Sequence, residues 1–209
     1  FYSQKLRPAS LDATTEADLP VLRIEASAML AMRPRDRGTP DILARISTLD
    51  PLNVEWQLRY AAVLRELRRT ADVSAMVASV VAKAPGDPRA RLIALLAPMD
   101  DATGTSMGDP FPQLCELAGL RASDASTVAS VQFPDVTFAL RLTDTFDRLG
   151  KFDHALAVLS HAAESIQSPE LASVLARRLY VAGRAQDCID ALSATPATTK
   201  GSDVAMLGI

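Results

Sequence analysis

The chain has 209 residues, of which 48% are hydrophobic and only 5% aromatic, and its formal net charge is −3 at pH 7. Alanine and leucine supply much of the apolar content, and both lose little on entering a helix, so the composition predicts an all-α fold. With 22 basic and 25 acidic residues there is no large field of one sign. This balance argues against nucleic acid as a main partner, because phosphate binding requires a basic stripe.

Cys115 and Cys188 are too few for a disulfide framework and, by themselves, for a structural zinc site; a single bridge and two buried thiols are both open. No apolar run approaches the roughly 18 residues of a membrane span, which predicts a soluble chain. The opening FYSQKLRP from Phe1 has two interpretations, the exit from a membrane anchor upstream or an arbitrary boundary. The first would place the chain in the periplasm or at a membrane.

Residues 1–15 show little periodicity and are predicted to form an extended lead-in. A helical region follows over 16–97, and its first helix is capped near Asp18. That helix ends by Arg33, because Pro34 disfavours the α conformation of the residue before it. The apolar residues at helical spacing in this helix are Val21, Ile24, Ala28, Met29 and Met32.

Thr39 before Pro40 predicts the start of a second helix, which runs to about Leu49. A repeat then begins, because Pro51 and Pro85 are 34 residues apart and enclose two amphipathic segments. The spacing predicts one helix over about 54–67 and another over about 72–84. The second helix has the i, i+3, i+4, i+7, i+8 stripe of a buried face, formed by Val73, Met76, Val77, Val80 and Val81.

The chain beyond Pro85 changes character. A helix is predicted over 89–97, and the segment 98–112 is rich in proline, glycine and aspartate, which predicts a loop insertion that is either functional or merely flexible. Two short helices are predicted next, over 111–120 and 123–131, the latter with Ser123 and Asp124 as its N-terminal cap.

A sequence pattern occurs twice within the helical region predicted over 113–192. Its two copies are offset by 33 residues, the distance from Gly150 to Gly183. A flexible tail is predicted over 196–209. The first copy contains Leu142, Thr143, Phe146, Gly150, Phe152, Ala155, Leu159 and Ala162. The second contains Leu175, Ala176, Leu179, Gly183, Ala185, Cys188 and Leu192.

These residues resemble the tetratricopeptide repeat (TPR), a helix-turn-helix unit of about 34 residues. The resemblance covers two modules, 136–168 and 169–195, and a degenerate module at 54–85, where Arg68 replaces the turn glycine and Val73 a small alanine. It implies an α-α superhelix in which the first helix of each hairpin lines a concave surface that holds a peptide or a partner's helix. The candidate partner-binding residues on these helices are Glu55, Arg65, Asp144, Asp147, Arg148, Arg177 and Tyr180.

Some members of that family grip a peptide's terminal carboxylate with paired Lys and Asn side chains. Here Leu140 and Asp144 occupy the relevant places, and Asn53 is the only asparagine in the chain. The clamp is therefore absent, and Tyr180 flanked by Arg177 is the candidate centre of binding, because Tyr and Arg are favoured at interface hot spots.

The sequence offers no motif for catalysis, cofactor binding or a metal site. His154 and His161 are seven residues apart, whereas helical metal pairs are three or four apart. Asp100, Asp101 and Asp109 lack the spacing of a calcium loop. For Trp56, core packing and an interface anchor are alternative roles.

The main hypothesis is a non-catalytic scaffold for protein–protein interaction. It is expected to serve a bacterial envelope assembly, such as a secretion, pilus or polysaccharide-export apparatus. The alternative is a regulatory or lid domain of a larger enzyme whose catalytic part lies outside this chain. The sequence upstream of Phe1 separates the two, since a hydrophobic anchor supports the first and a catalytic fold the second.

Overall fold

The computed structural model describes residues 16–32, 38–99, 108–127, 129 and 131–193. Within them the chain forms ten α-helices, and the β structure is a single isolated bridge between Leu120 and Thr127. The all-α prediction is confirmed. The predicted lead-in at 1–15 and tail at 196–209 lie outside the described residues, as does most of the loop at 98–112. The chain divides into two compact units, residues 1–106 and 107–209.

Unit 1 contains five α-helices after a 3₁₀ turn at Glu16–Asp18. They are α1 (Leu19–Met32), α2 (Gly38–Leu49), α3 (Val54–Glu66), α4 (Thr70–Lys83) and α5 (Pro88–Leu96). Each helix packs against the next, and α5 also packs against α3. Gln57, fully buried on α3, accepts a hydrogen bond from the Ser47 hydroxyl of α2 at 2.8 Å, which satisfies a polar group between two packed helices.

The buried face of α1 differs from the predicted one. The structure buries Leu22 and Ala26 against α2 and α3, whereas Val21, Ile24 and Met32 are 58%, 72% and 74% exposed. The helix carries apolar residues on several sides, so its spacing permits more than one stripe, and packing against α2 selects which one is buried.

Unit 2 contains the segments 136–168 and 169–195 that were predicted to be repeat modules. Its helices are α6 (Phe111–Ala118), α7 (Val136–Arg148), α8 (Phe152–Ile166), α9 (Pro169–Val181) and α10 (Ala185–Ser193). α7 pairs with α8 and α9 with α10, and α9 also packs against both α7 and α8, so two helical hairpins are stacked. The Asp135 side chain caps α7 by accepting a hydrogen bond from the backbone N–H of Phe138 at 2.8 Å.

The prediction of a helix over 123–131 is wrong, because residues 123–127 and 129, the part of that segment that the structure describes, are not helical. The Asp124 carboxylate accepts hydrogen bonds from both the backbone N–H and the hydroxyl of Ser126, at 3.0 and 2.6 Å. Ala125 has a left-handed φ of 57°. An aspartate that bonds to the backbone two residues ahead stabilises a turn in competition with a helix, so the same residue that resembles a cap prevents the helix here.

Three hairpins, α3–α4, α7–α8 and α9–α10, close with the same backbone turn. Arg68, Gly150 and Gly183 occupy its left-handed position, with φ of 58°, 69° and 75°. In each turn the next N–H bonds to a carbonyl five residues back: Arg69 to Leu64 at 2.8 Å, Lys151 to Phe146 at 2.8 Å and Arg184 to Leu179 at 2.9 Å. This is the Schellman arrangement of a helix C-terminus, and the α3–α4 hairpin of unit 1 shares it with the two hairpins of unit 2.

Both cysteines are free thiols and both are buried. Burial raises the pKa of the Cys115 thiol above its ordinary value, because the charged thiolate is disfavoured away from water. Of the two alternatives that the sequence left open, the structure therefore shows two small buried thiols.

Candidate protein-binding surfaces

The first helices of the unit 2 hairpins, α7 and α9, pack against each other and each has one face in solvent. Among the predicted binding residues, Asp144 and Arg148 on α7 and Arg177 and Tyr180 on α9 are exposed. Tyr180 is 65% exposed, so most of its side chain is accessible to a partner. These four residues define the α7–α9 face.

Asp147, which was predicted to bind a partner, forms an ion pair with an arginine of the neighbouring hairpin. Arg178 Nη1 donates to Asp147 Oδ1 at 2.8 Å, and Arg178 Nη2 lies 2.5 Å from Asp147 Oδ2, so the ion pair is bidentate. The hydrogen bond to Asp147 is the main cause that raises the pKa of Arg178. The pair joins α7 to α9 and thus stabilises the stacking of the two hairpins.

Arg177 was among the predicted binding residues, whereas its neighbour Arg178 was not. The signal that could have found Arg178 is its distance of 31 residues from Asp147, close to one repeat, with both residues in the last turns of equivalent helices. Asp144 lies 4.0 Å from Arg178 Nη2, but its side chain remains 59% exposed. Asp144 is therefore the carboxylate of this face that is open to a ligand.

Glu55 and Arg65, the other two predicted binding residues, belong to unit 1. The Glu55 carboxylate accepts a hydrogen bond from Arg59 Nε at 2.7 Å, and the Arg59 guanidinium lies 4.9 Å from the centre of the Trp56 ring. Trp56 is partly buried against the core of unit 1, which supports a packing role. Arg65 donates to the backbone carbonyl of Ala97, so its guanidinium ties α3 to the end of α5.

The two histidines of α8 are packed against aromatic rings. His154 is buried with its ring centre 5.0 Å from that of Phe111 and 5.6 Å from that of Phe146, and its Nε2 lies 3.0 Å from the carbonyl oxygen of Arg121. His161 packs edge-on against Phe133. In the described part of the chain, no group of three or more His, Cys, Asp or Glu side chains is arranged to hold a metal ion.

The class of protein that this geometry defines is an all-α protein built of stacked helical hairpins. No family model and no curated protein matches the chain. Among solved structures, the chain is similar to one named MamA MSR-1 C2, at 15% identity over 86% of this chain and 95% of that chain, with a TM-score of 0.34. No helix within the described ranges has both the length and the apolar character needed to cross a membrane.

Proposed function

We propose that the chain is a non-catalytic, TPR-like scaffold that binds another protein, and that the α7–α9 face of unit 2 is its contact surface. The observation that supports this is Tyr180, 65% exposed and three residues from the exposed Arg177 on the same helix. Residues three apart on a helix are neighbours on its surface, and Tyr and Arg are the side chains that most often dominate interface energetics.

The charges of the face specify what the partner presents. Asp144 on α7 attracts a cationic group, and Arg177 on α9 attracts a carboxylate. The bidentate pair of Asp147 and Arg178 holds the two helices together beneath these groups, so the face is preorganised before a partner arrives. A peptide segment or helix with both signs of charge and an apolar side chain that covers Tyr180 fits this pattern.

Affinity capture with the whole chain tests the proposal. Arg177→Glu and Tyr180→Ala are each expected to reduce recovery of the partner at least about tenfold, because both remove hot-spot side chains. Arg121→Glu is the matched control, since Arg121 is also an exposed arginine of unit 2 but lies outside the α7–α9 face. Equal recovery with all three variants would show that this face does not bind the partner.

The finer part of the proposal is that the partner belongs to a bacterial envelope assembly. If the gene encodes residues before Phe1, their sequence provides the test. A hydrophobic anchor there supports this assignment, and a catalytic domain there supports the alternative of a regulatory or lid domain.

A further inference from the structure

A groove recurs between the helical hairpins of this chain. In unit 2, α8 and α10 form its walls and α9 its floor, and its volume is about 390 Å³. Leu175 and Leu179 of α9 lie in the floor, and both are almost fully buried. The volume is near the lower end of the range of about 300–1,000 Å³ that is typical of ligand sites.

Unit 1 has a corresponding groove between α2, α3 and α4, with a volume of about 260 Å³. The correspondence follows from the shared turn, because Arg68 and Gly183 align the two hairpins at a separation of 115 residues. Three lining residues of the unit 1 groove have an equivalent in the unit 2 groove: Tyr60 corresponds to Leu175, Arg69 to Arg184 and Asp72 to Asp187. The groove is therefore a feature of the repeat rather than an accident of one loop.

The two grooves have opposite charge. The unit 2 groove is lined by three carboxylates and one guanidinium, a net formal charge of −2, from Glu164, Asp187, Asp190 and Arg184. The unit 1 groove is lined by two cations and one carboxylate, a net formal charge of +1, from Arg69, Lys83 and Asp72. Equivalent backbone positions thus present surfaces that attract different partners.

The carboxylates of the unit 2 groove differ in their hydrogen-bond and ion-pair partners. Asp187 accepts a hydrogen bond from Arg184 Nε at 2.6 Å, and Asp190 accepts one from Gln186 Nε2 at 3.0 Å. Glu164, on the opposite wall, is exposed and has no ion-pair partner among the described residues. Glu164 and Asp190 therefore stand on the two walls with acceptor capacity for a cation.

We propose that the unit 2 groove is a second docking surface, independent of the α7–α9 face, for a short basic and apolar peptide segment. An apolar side chain of the segment contacts the floor at Leu175 and Leu179, and flanking lysine or arginine side chains reach Glu164 and Asp190. The floor residues run from Ala172 to Leu179, about 10 Å along a helix. That length holds about three residues of extended peptide.

The probe is a fluorescently labelled nine-residue synthetic peptide with leucine at every third position and lysine between the leucines. The control peptide has glutamate in place of each lysine. We expect saturable binding of the lysine peptide by fluorescence anisotropy, no binding of the glutamate peptide, and amide NMR shifts centred on the helices that line the groove. The variant Glu164→Lys/Asp190→Lys should weaken binding at least about tenfold, because like charges then meet across the contact.

Asp187→Lys and Asp72→Lys form a matched pair of variants. Both aspartates lie in the first turn of the second helix of a hairpin and pair with an arginine three residues earlier, with 47% and 45% of their side chains exposed. Only Asp187→Lys is expected to weaken peptide binding, about threefold or more, because only Asp187 lines the acidic groove. Tyr180→Ala should leave peptide binding unchanged, which separates this proposal from that for the α7–α9 face.

Several results would overturn the proposal. These are equal binding of the two peptides, equal effects of Asp187→Lys and Asp72→Lys, or NMR shifts that map to the α7–α9 face. Groove-centred shifts that depend on protein concentration without peptide would identify a second copy of the chain as the occupant instead.

Discussion

The hairpin α3–α4 in unit 1 and the hairpin α9–α10 in unit 2 close with the same backbone turn, although Arg68 occupies the left-handed position in one and Gly183 in the other. Both also place an ion pair one residue later, Arg69 with Asp72 and Arg184 with Asp187. The turn is thus kept by hydrogen bonds and by the buried faces of the helices, and a non-glycine residue is tolerated at a cost in conformational energy.

The surfaces of the two hairpins have diverged further than their packing. The floor of the groove carries Tyr60 in unit 1 and Leu175 in unit 2. Burial raises the pKa of the Tyr60 hydroxyl above its ordinary value, because the charged phenolate is disfavoured away from water. The two hairpins therefore share a backbone arrangement while the side chains that line their grooves differ, so the role of each residue must be argued for its own hairpin.

The largest expected effect comes from the core position that precedes the turn, which is Leu64 in α3 and Phe146 in α7. Both side chains are fully buried, and Phe146 also packs against Phe111 at 6.0 Å between ring centres. Phe146→Ala should lower the free energy of unfolding by about 4 kcal/mol and Leu64→Ala by about 3 kcal/mol, because each leaves a cavity.

Urea denaturation measures both changes, and amide hydrogen exchange assigns each loss to a unit. We expect Phe146→Ala to weaken protection in α7 and α8, and Leu64→Ala in α3 and α4. A loss below about 1 kcal/mol for either variant would mean that the hairpin is not held by the equivalent core position, and the comparison between the units would fail.

Substitutions at the left-handed position of the turn should change the free energy of unfolding by a smaller amount, and the change should have opposite signs in the two units. Gly150→Ala should destabilise the chain by about 1 kcal/mol, because a side chain is disfavoured at φ of 69° and no heavy atom lies within 4 Å to add a clash. Arg68→Gly should stabilise unit 1 by up to about 1 kcal/mol, since it relieves the same strain.

Thermal and urea unfolding measure both turn variants. Arg68→Ala is the control, because it removes the guanidinium but keeps a side chain at the strained position, and it should leave stability nearly unchanged. If Arg68→Ala stabilised unit 1 as much as Arg68→Gly, the charge of Arg68 rather than its backbone conformation would be responsible.

Much of the fold could be predicted from the sequence because helical spacing and turn residues carry local information. The helix boundaries around Pro51, Pro85 and Gly150 follow from backbone chemistry that acts within a few residues. The outward positions of Asp144 and Tyr180 followed in the same way, from spacing within one helix.

The features that the sequence missed depend on tertiary contacts or on competing local bonds. The buried stripe of α1 is chosen by its contact with α2, and Arg178 reaches Asp147 across two hairpins. The turn after α6 forms because the Asp124 carboxylate accepts hydrogen bonds from Ser126 and does not cap a helix N-terminus. The spacing of apolar residues within one helix does not encode such choices.

The smallest expected effect is the difference in coupling free energy between two ion pairs, one that joins two hairpins and one that lies within a single hairpin. In a double-mutant cycle with alanine at Asp147 and Arg178, the coupling free energy should be about 1 kcal/mol, because the pair is bidentate and its side chains are only 24% and 30% exposed. The cycle at Arg69 and Asp72, whose side chains are 49% and 45% exposed, should give about 0.3 kcal/mol. Added salt should reduce the second coupling more than the first, since exposed charges are screened more strongly. Equal couplings with equal salt dependence would show that Arg178 and Asp147 do not contribute specifically to the stacking of α7 on α9.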